Sequence, residues 1–167
     1  MNKTTMKIIP AAALTALIML LSWYGRSLQR VLREFLGYSG LLAFVCVSFL
    51  IFIFLVTRFF SLRKGVLGGL IIFYPLGIWY LRANPEEAVH LIEYGTFALV
   101  LSWSFGFRMN EAKNLAYSFS IASFVGYLDE LFQKINPERV YDLRDILINV
   151  IGAALALLTF KLQRQAN

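Results

Sequence analysis

The residues with chemical potential fall in three short stretches: His90 and Tyr94; Asp129, Glu130 and Gln133; and Arg139, Asp142, Asp145 and Asn149. Carboxylates and an imidazole in a cleft of low dielectric can be tuned towards ambient pH, which general acid/base catalysis requires. In such a site Glu130 and Asp145 would form the acid/base pair and His90 would carry the proton. Arg139 would contact an anionic group, Gln133 and Asn149 would orient it, and Tyr94, Asp129 and Asp142 would complete the polar network. Glu130, Asp142 and Asp145 are also hard oxygen ligands suited to a divalent cation. No compact ligand motif is present, however, and His90 is the only histidine, so a two-histidine zinc motif cannot form and no cofactor or metal is expected. Phosphate-loop and Gly-x-Ser-x-Gly readings are closed as well, since Gly65, Gly68 and Gly69 lack the Lys-Ser/Thr pair that a phosphate loop needs.

Helices must position these groups. Glu86, Glu93 and Tyr94 flank His90 at spacings of three or four residues, which makes one polar stripe. Glu130 and Gln133 share a face, and so do Asp142, Asp145 and Asn149, whose face continues into Gly152 and Ala156. A simpler reading of Glu86, Glu87, Asp142 and Asp145 is that they favour helix N-termini, partly neutralised by Arg139 and Arg144.

The solvent of those helices is a bilayer. Hydrophobic residues make up 59% of the chain and the mean hydropathy is +0.65, outside the range of soluble domains. A hydrocarbon core about 30 Å thick takes roughly 20 apolar residues per helical span. Six segments approach that length: Ile8–Tyr24, Gly40–Phe60, Val66–Tyr80, Ala88–Phe107, Asn114–Phe132 and Leu143–Leu162. The expected fold is therefore an all-α, polytopic transmembrane bundle of six helices. The third span is the weakest, being short and holding Pro75, so that a tilted, kinked or re-entrant course is open to it. Lys3 and Lys7 ahead of the first span fit an uncleaved signal anchor.

Between the first two spans, Leu28, Val31, Leu32, Phe35 and Leu36 recur at helical spacing opposite Arg26, Gln29, Arg30, Arg33 and Glu34, the pattern of a short amphipathic interfacial helix. With six alternating spans, the face bearing both termini collects Lys3, Lys7, Arg58, Arg63, Lys64, Arg108, Lys113, Lys161 and Arg164, against seven bases on the other. That asymmetry places both termini in the cytoplasm. Nearly all acids gather on the opposite face. A net charge of +6 spread among hydrophobic spans points to anionic lipid headgroups, not nucleic acid. Cys46 is the single cysteine, so no disulfide forms within the chain.

Small residues recur at spacings of three or four residues: Gly95, Ala98, Ser102 and Gly106; Ser118, Ala122 and Gly126; and Gly152 and Ala156. Such stripes let membrane helices approach closely. The strings Gly126-x-x-Asp129-Glu130-x-x-Gln133 and Arg139-x5-Asp145-x3-Asn149-x2-Gly152, preceded by His90-x3-Tyr94, resemble the signature of the VanZ-like family of small membrane proteins. The resemblance covers roughly residues 86–160, and divides the chain into an N-terminal membrane region, 1–85, without the signature and a VanZ-like three-helix region, 86–167. Two positions depart from the family pattern: Glu87 stands where a Lys is common, and Ala156 where a second Gly is common. The resemblance implies a multi-pass protein of the bacterial cytoplasmic membrane, in a family associated with resistance to the glycopeptide antibiotic teicoplanin and without an established biochemical activity.

Two functions follow as expectations. One is a polar site at one membrane face that acts on, or alters access to, a lipid-linked or glycopeptide-type envelope molecule. The other is a noncatalytic accessory subunit of a larger membrane complex, its polar network fixing helix register against protein partners. A transporter fits less well, because no half of the chain repeats and the polar residues lie at one end rather than the midplane.

Overall fold

A computed structural model describes residues 3–60, 64–83, 85–106, 109–135 and 142–165. Among them there are no strands. The helices are α1 (Lys3–Phe60), α2 (Lys64–Tyr80), α3 (Pro85–Phe105), α4 (Glu111–Ile135) and α5 (Leu143–Gln165), and α1 is two helices joined at a kink, which makes six helical segments. The kink is at Gly37, with φ 66° and ψ −174°, a conformation that is essentially restricted to glycine. Residues 26–36, expected as a separate interfacial helix, instead prolong the N-terminal arm of α1. No glycine or proline stands between Arg26 and Leu36 to end the run, so backbone hydrogen bonding carries on to Gly37. Val31 and Phe35 are exposed there, at 61% and 87%.

Among the described residues, three helical stretches are long and apolar enough to cross a membrane: Arg30–Phe54, Glu87–Phe105 and Leu143–Leu162. Ile9–Leu21 and Leu67–Tyr80 are apolar but shorter. α2 runs unbroken past Pro75, and its 17 residues span about 25 Å, a little less than a hydrocarbon core.

α3 is the centre of the bundle. It touches α1, α2, α4 and α5, most extensively α5, and is buried on almost every side. Its first residue is Pro85, where a missing N–H leaves no helical hydrogen bond unmade. One core cluster joins Val45, Phe49 and Phe52 of α1 to Leu70, Tyr74 and Ile78 of α2 and to Ala88, Leu91 and Ile92 of α3. The Tyr74 ring stacks on Phe49 at 5.9 Å and lies 5.0 Å from Phe52. A second cluster seats Ala11 and Ile18 of the N-terminal arm, two helical turns apart, against Tyr94, Phe97, Ala98 and Leu101 of α3, Ala122 and Val125 of α4, and Ala153 and Leu157 of α5.

α4 reverses the usual pattern of an amphipathic helix. Its buried face is polar or small in all but one position: Asn114, Ser118, Ala122, Val125, Gly126, Asp129, Glu130 and Gln133. Tyr117, Phe124, Tyr127 and Phe132 are exposed on its outside. Asn110 caps the helix, its Oδ1 accepting the Lys113 N–H at 2.9 Å.

Close approach of α3, α4 and α5 depends on three glycines. A Cβ on Gly152 would lie 2.5 Å from the Leu91 carbonyl oxygen, and one on Gly95 would meet the Tyr74 hydroxyl and, at 3.3 Å, the Gly152 carbonyl oxygen. One on Gly126 would come within 3.1 Å of both Asn149 and Tyr94. The Tyr74 hydroxyl donates to the Gly152 carbonyl at 3.3 Å and ties α2 to the same contact.

Candidate functional site

The start of α3, the end of α4 and the start of α5 meet at one end of the bundle. Contacts across the three helices establish this. His90 Nδ1 lies 3.8 Å from Asp129 Oδ2, Arg144 lies 3.4 Å from Glu87, and the Asp142 N–H donates to Glu130 Oε2 at 3.3 Å.

Glu130 is completely buried, and both of its carboxylate oxygens are held. Gln133, one turn on, donates from Nε2 to Oε1 at 2.8 Å, and the backbone of Asp142 serves Oε2. Asp129 is 3% exposed and accepts the Tyr94 hydroxyl at 3.1 Å. The His90 ring lies nearly parallel to that of Tyr94, one turn away on α3, with centroids 6.4 Å apart. At 3.8 Å the His90–Asp129 pair is too long for a hydrogen bond, and His90 Nδ1 is buried with no hydrogen-bond partner among the described residues. Single atoms of His90, Asp129 and Glu130 all lie within 4.8 Å of one another, a spacing open to a metal ion.

Asp145 and Asn149 continue the site along α5. Asp145 interacts electrostatically with His90, Glu87, Asp142 and Asp129, and its Oδ1 is buried without a hydrogen-bond partner among the described residues. Asn149, wholly buried, donates from Nδ2 to the Gly126 carbonyl at 3.4 Å, while its Oδ1 has no such partner. Asp142 is a helix cap, its Oδ1 accepting the Arg144 N–H at 2.8 Å, and at the same time a backbone donor to Glu130. Glu87 is mostly buried and faces the exposed Arg144 guanidinium.

Of the residues singled out in the sequence, His90, Tyr94, Asp129, Glu130, Gln133, Asp142, Asp145 and Asn149 thus come to one end of the bundle. Arg139 lies outside the described residues, as does the Glu86 side chain. The internal order differs from the one suggested by spacing: Asp129 is the carboxylate beside His90, and Gln133 holds Glu130. Residue spacing gave no sign of a further polar group toward the opposite end of the bundle, where α3 ends and α4 begins. There Asn114 donates to the Ser102 carbonyl at 3.0 Å and accepts the Ser118 hydroxyl at 3.2 Å, within stripes that the sequence marks only as small.

The same end of the bundle carries amphipathic aromatics. The Tyr38 hydroxyl, next to the Gly37 kink, donates to the Arg82 carbonyl, and the Arg82 guanidinium lies 4.4 Å over the Trp79 ring. Trp79 and Tyr80 are exposed at 66% and 77%.

Chemically, the arrangement offers carboxylates held by fixed donors, an imidazole beside one of them, and unsatisfied acceptor atoms within the same few residues. Compared with known proteins, the chain matches no family model, no curated protein and no solved structure.

Proposed function

We propose that this chain is a VanZ-like membrane protein with six spans and cytoplasmic termini, and that its polar site does acid/base work on a lipid-linked or phosphate-bearing envelope molecule at one membrane face. One observation carries the reading: a fully buried carboxylate, Glu130, fixed by two donors and set beside the His90–Asp129 pair where three helix ends converge. Ionisable groups are expensive near hydrocarbon, and a bundle that retains several of them at one place has them facing its interior or a polar cavity.

Two features favour spans beyond the three most apolar. α4 turns tyrosine and phenylalanine outwards and asparagine, serine, aspartate and glutamate inwards, the arrangement suited to a lipid surround. Trp79, Tyr80, Tyr38 and Arg82 form the kind of aromatic and basic collar found where a bundle passes from hydrocarbon to headgroups. That collar lies at the site's end of the bundle, which supports a site at membrane-surface depth, within reach of a headgroup. In this reading Glu130 is the base, His90 and Asp129 pass the proton, Tyr94 orients Asp129, and Asp145 is the second acid. Glu87, in place of the family's common Lys, reverses a charge beside His90 and faces Arg144.

The test separates folding from function. Glu130→Gln, Asp129→Asn and His90→Gln are compared with the unaltered chain for monodisperse yield in detergent and for glycopeptide tolerance of cells expressing them. Loss of tolerance at normal yield supports the working site. Unchanged tolerance in all three refutes it. Loss of yield in all three points to the accessory-subunit reading, which the Asn114–Ser118–Ser102 group favours as an example of polar side chains that only set helix register.

A further inference from the structure

Of the three groups that converge at His90, Asp129 and Glu130, the two carboxylates have hydrogen-bond donors, but the His90–Asp129 pair has a geometry that hydrogen bonding leaves unexplained. If His90 Nδ1 carried a proton for Asp129, the pair would close to an ordinary hydrogen-bond length of about 2.9 Å. It stands instead at 3.8 Å, with the nitrogen buried and without a hydrogen-bond partner among the described residues. Two ligands of one tetrahedral ion with bonds near 2.1 Å are separated by about 3.4 Å. The observed separation is therefore closer to that of two ligands of one ion than to that of a donor and its acceptor.

The surroundings fit the same interpretation. Ligating carboxylates need outer donors to fix their orientation, and here Tyr94 donates to Asp129 and Gln133 to Glu130. Among the described residues, carboxylates also outnumber cations at the site: Asp129, Glu130, Asp142, Asp145 and Glu87 lie near it, whereas Arg144 is exposed and faces Glu87. Asn149, completely buried, and Asp145 each keep one oxygen without a hydrogen-bond partner among the described residues. An imidazole with two carboxylates is a mixed nitrogen and oxygen donor set, which suits zinc, manganese or iron(II) better than magnesium or calcium.

We propose that His90, Asp129 and Glu130 bind one divalent transition-metal ion, with Tyr94 and Gln133 holding the two carboxylates in place. Two of these ligands differ from the Glu130, Asp142 and Asp145 set that sequence spacing suggests, because Asp142 is committed as a helix cap. The site stands on its own geometry and gives the same three side chains a different task, since a lone pair bound to metal cannot also take the proton that the acid/base reading assigns to it.

Cobalt(II) is the probe, since its visible spectrum reports both occupancy and coordination. Full-length protein in mild detergent is stripped with a chelator and titrated with cobalt, and bound metal is counted by elemental analysis. One equivalent per chain is expected, with visible bands of a low-coordinate nitrogen and oxygen site. His90→Gln, Asp129→Asn and Glu130→Gln should each weaken binding at least tenfold, and Tyr94→Phe, which keeps the ring and removes only the donor, by about ten- to a hundredfold. Glu111→Gln, at the far end of α4, should bind as the unaltered chain does. Failure of the unaltered protein to take up cobalt, or undiminished binding by His90→Gln, overturns the proposal. Should the carboxylate variants not yield monodisperse protein, unchanged affinity in Tyr94→Phe overturns it instead. Cobalt binding that His90→Gln abolishes while glycopeptide tolerance is kept would sink the acid/base reading alone, and tolerance lost in His90→Gln when the unaltered chain takes up no cobalt would sink this one alone.

Discussion

Replacing Gly152 by Ala tests whether the α3–α5 contact sets the geometry of the polar site. The added Cβ would sit 2.5 Å from the Leu91 carbonyl oxygen and 3.2 Å from its Cα and carbonyl carbon. These are backbone atoms, so no rotamer change relieves the overlap and the helices must separate. Overpacking of this kind costs about 1–3 kcal/mol, and the partner lost in the process, the 3.3 Å hydrogen bond from Tyr74, contributes roughly another 0.6 kcal/mol. Against this, Ala is favoured over Gly inside a helix by about 0.8–1 kcal/mol. Net destabilisation of about 1–3 kcal/mol results. Gly68→Ala is the matched control, because a Cβ there meets nothing within 4 Å and only the helix propensity acts. Equilibrium unfolding of both variants in mixed micelles should place Gly68→Ala at or slightly above the unaltered chain and Gly152→Ala clearly below it. Equal stability of the two variants would refute the close-approach account. Since the clash falls on the backbone of Leu91, next to His90 on α3, Gly152→Ala should also bind cobalt more weakly.

Two further outcomes follow from backbone geometry. Gly37→Ala meets no atom within 4 Å, so its whole penalty, about 1–3 kcal/mol, is backbone strain at φ 66° and ψ −174°; a stability equal to that of the unaltered chain in the same micelle assay would mean that the kink needs no glycine. Asn110→Ala removes the side-chain oxygen that accepts the Lys113 N–H and should lower stability by about 1 kcal/mol, with Asn110→Ser recovering most of it, whereas equal losses in both would remove the cap as the cause.

The helical class and the meeting of three polar helix ends were legible from spacing, because hydrocarbon imposes long apolar runs and a short connection between α4 and α5 brings their acids together. Which acid meets which partner was not legible. Asp129 and Glu130 are adjacent, so they point about 100° apart on the helix, and spacing within α4 cannot say which of them will face His90 on α3. The extent of the first helix was hidden for a different reason. A change from apolar to amphipathic composition near Tyr24 looks like a boundary, yet a helix stops only where the backbone is forced to, and that happens at Gly37. Ser102 and Ser118 were legible as small residues for packing, but their hydrogen bonding around Asn114 depends on the register between α3 and α4, which no single segment encodes.

The outward aromatic and inward polar faces of α4 bear on how the protein is made. If α4 crosses the bilayer as proposed, it would reach the insertion machinery as a segment whose Asp129, Glu130, Gln133 and Asn114 have no cover until α3 and α5 are beside it. An acid at the centre of a lone segment disfavours insertion by about 2.5 kcal/mol or more, and Asp129 and Glu130, near the end of α4, do so by less. Biogenesis would then be ordered, with α3 waiting in place and α4 entering together with α5 as a hairpin. Glycosylation reporters flanking α4 would reveal this as poor insertion of α4 alone and recovery when α3 and α5 accompany it; full insertion of the isolated helix would exclude it.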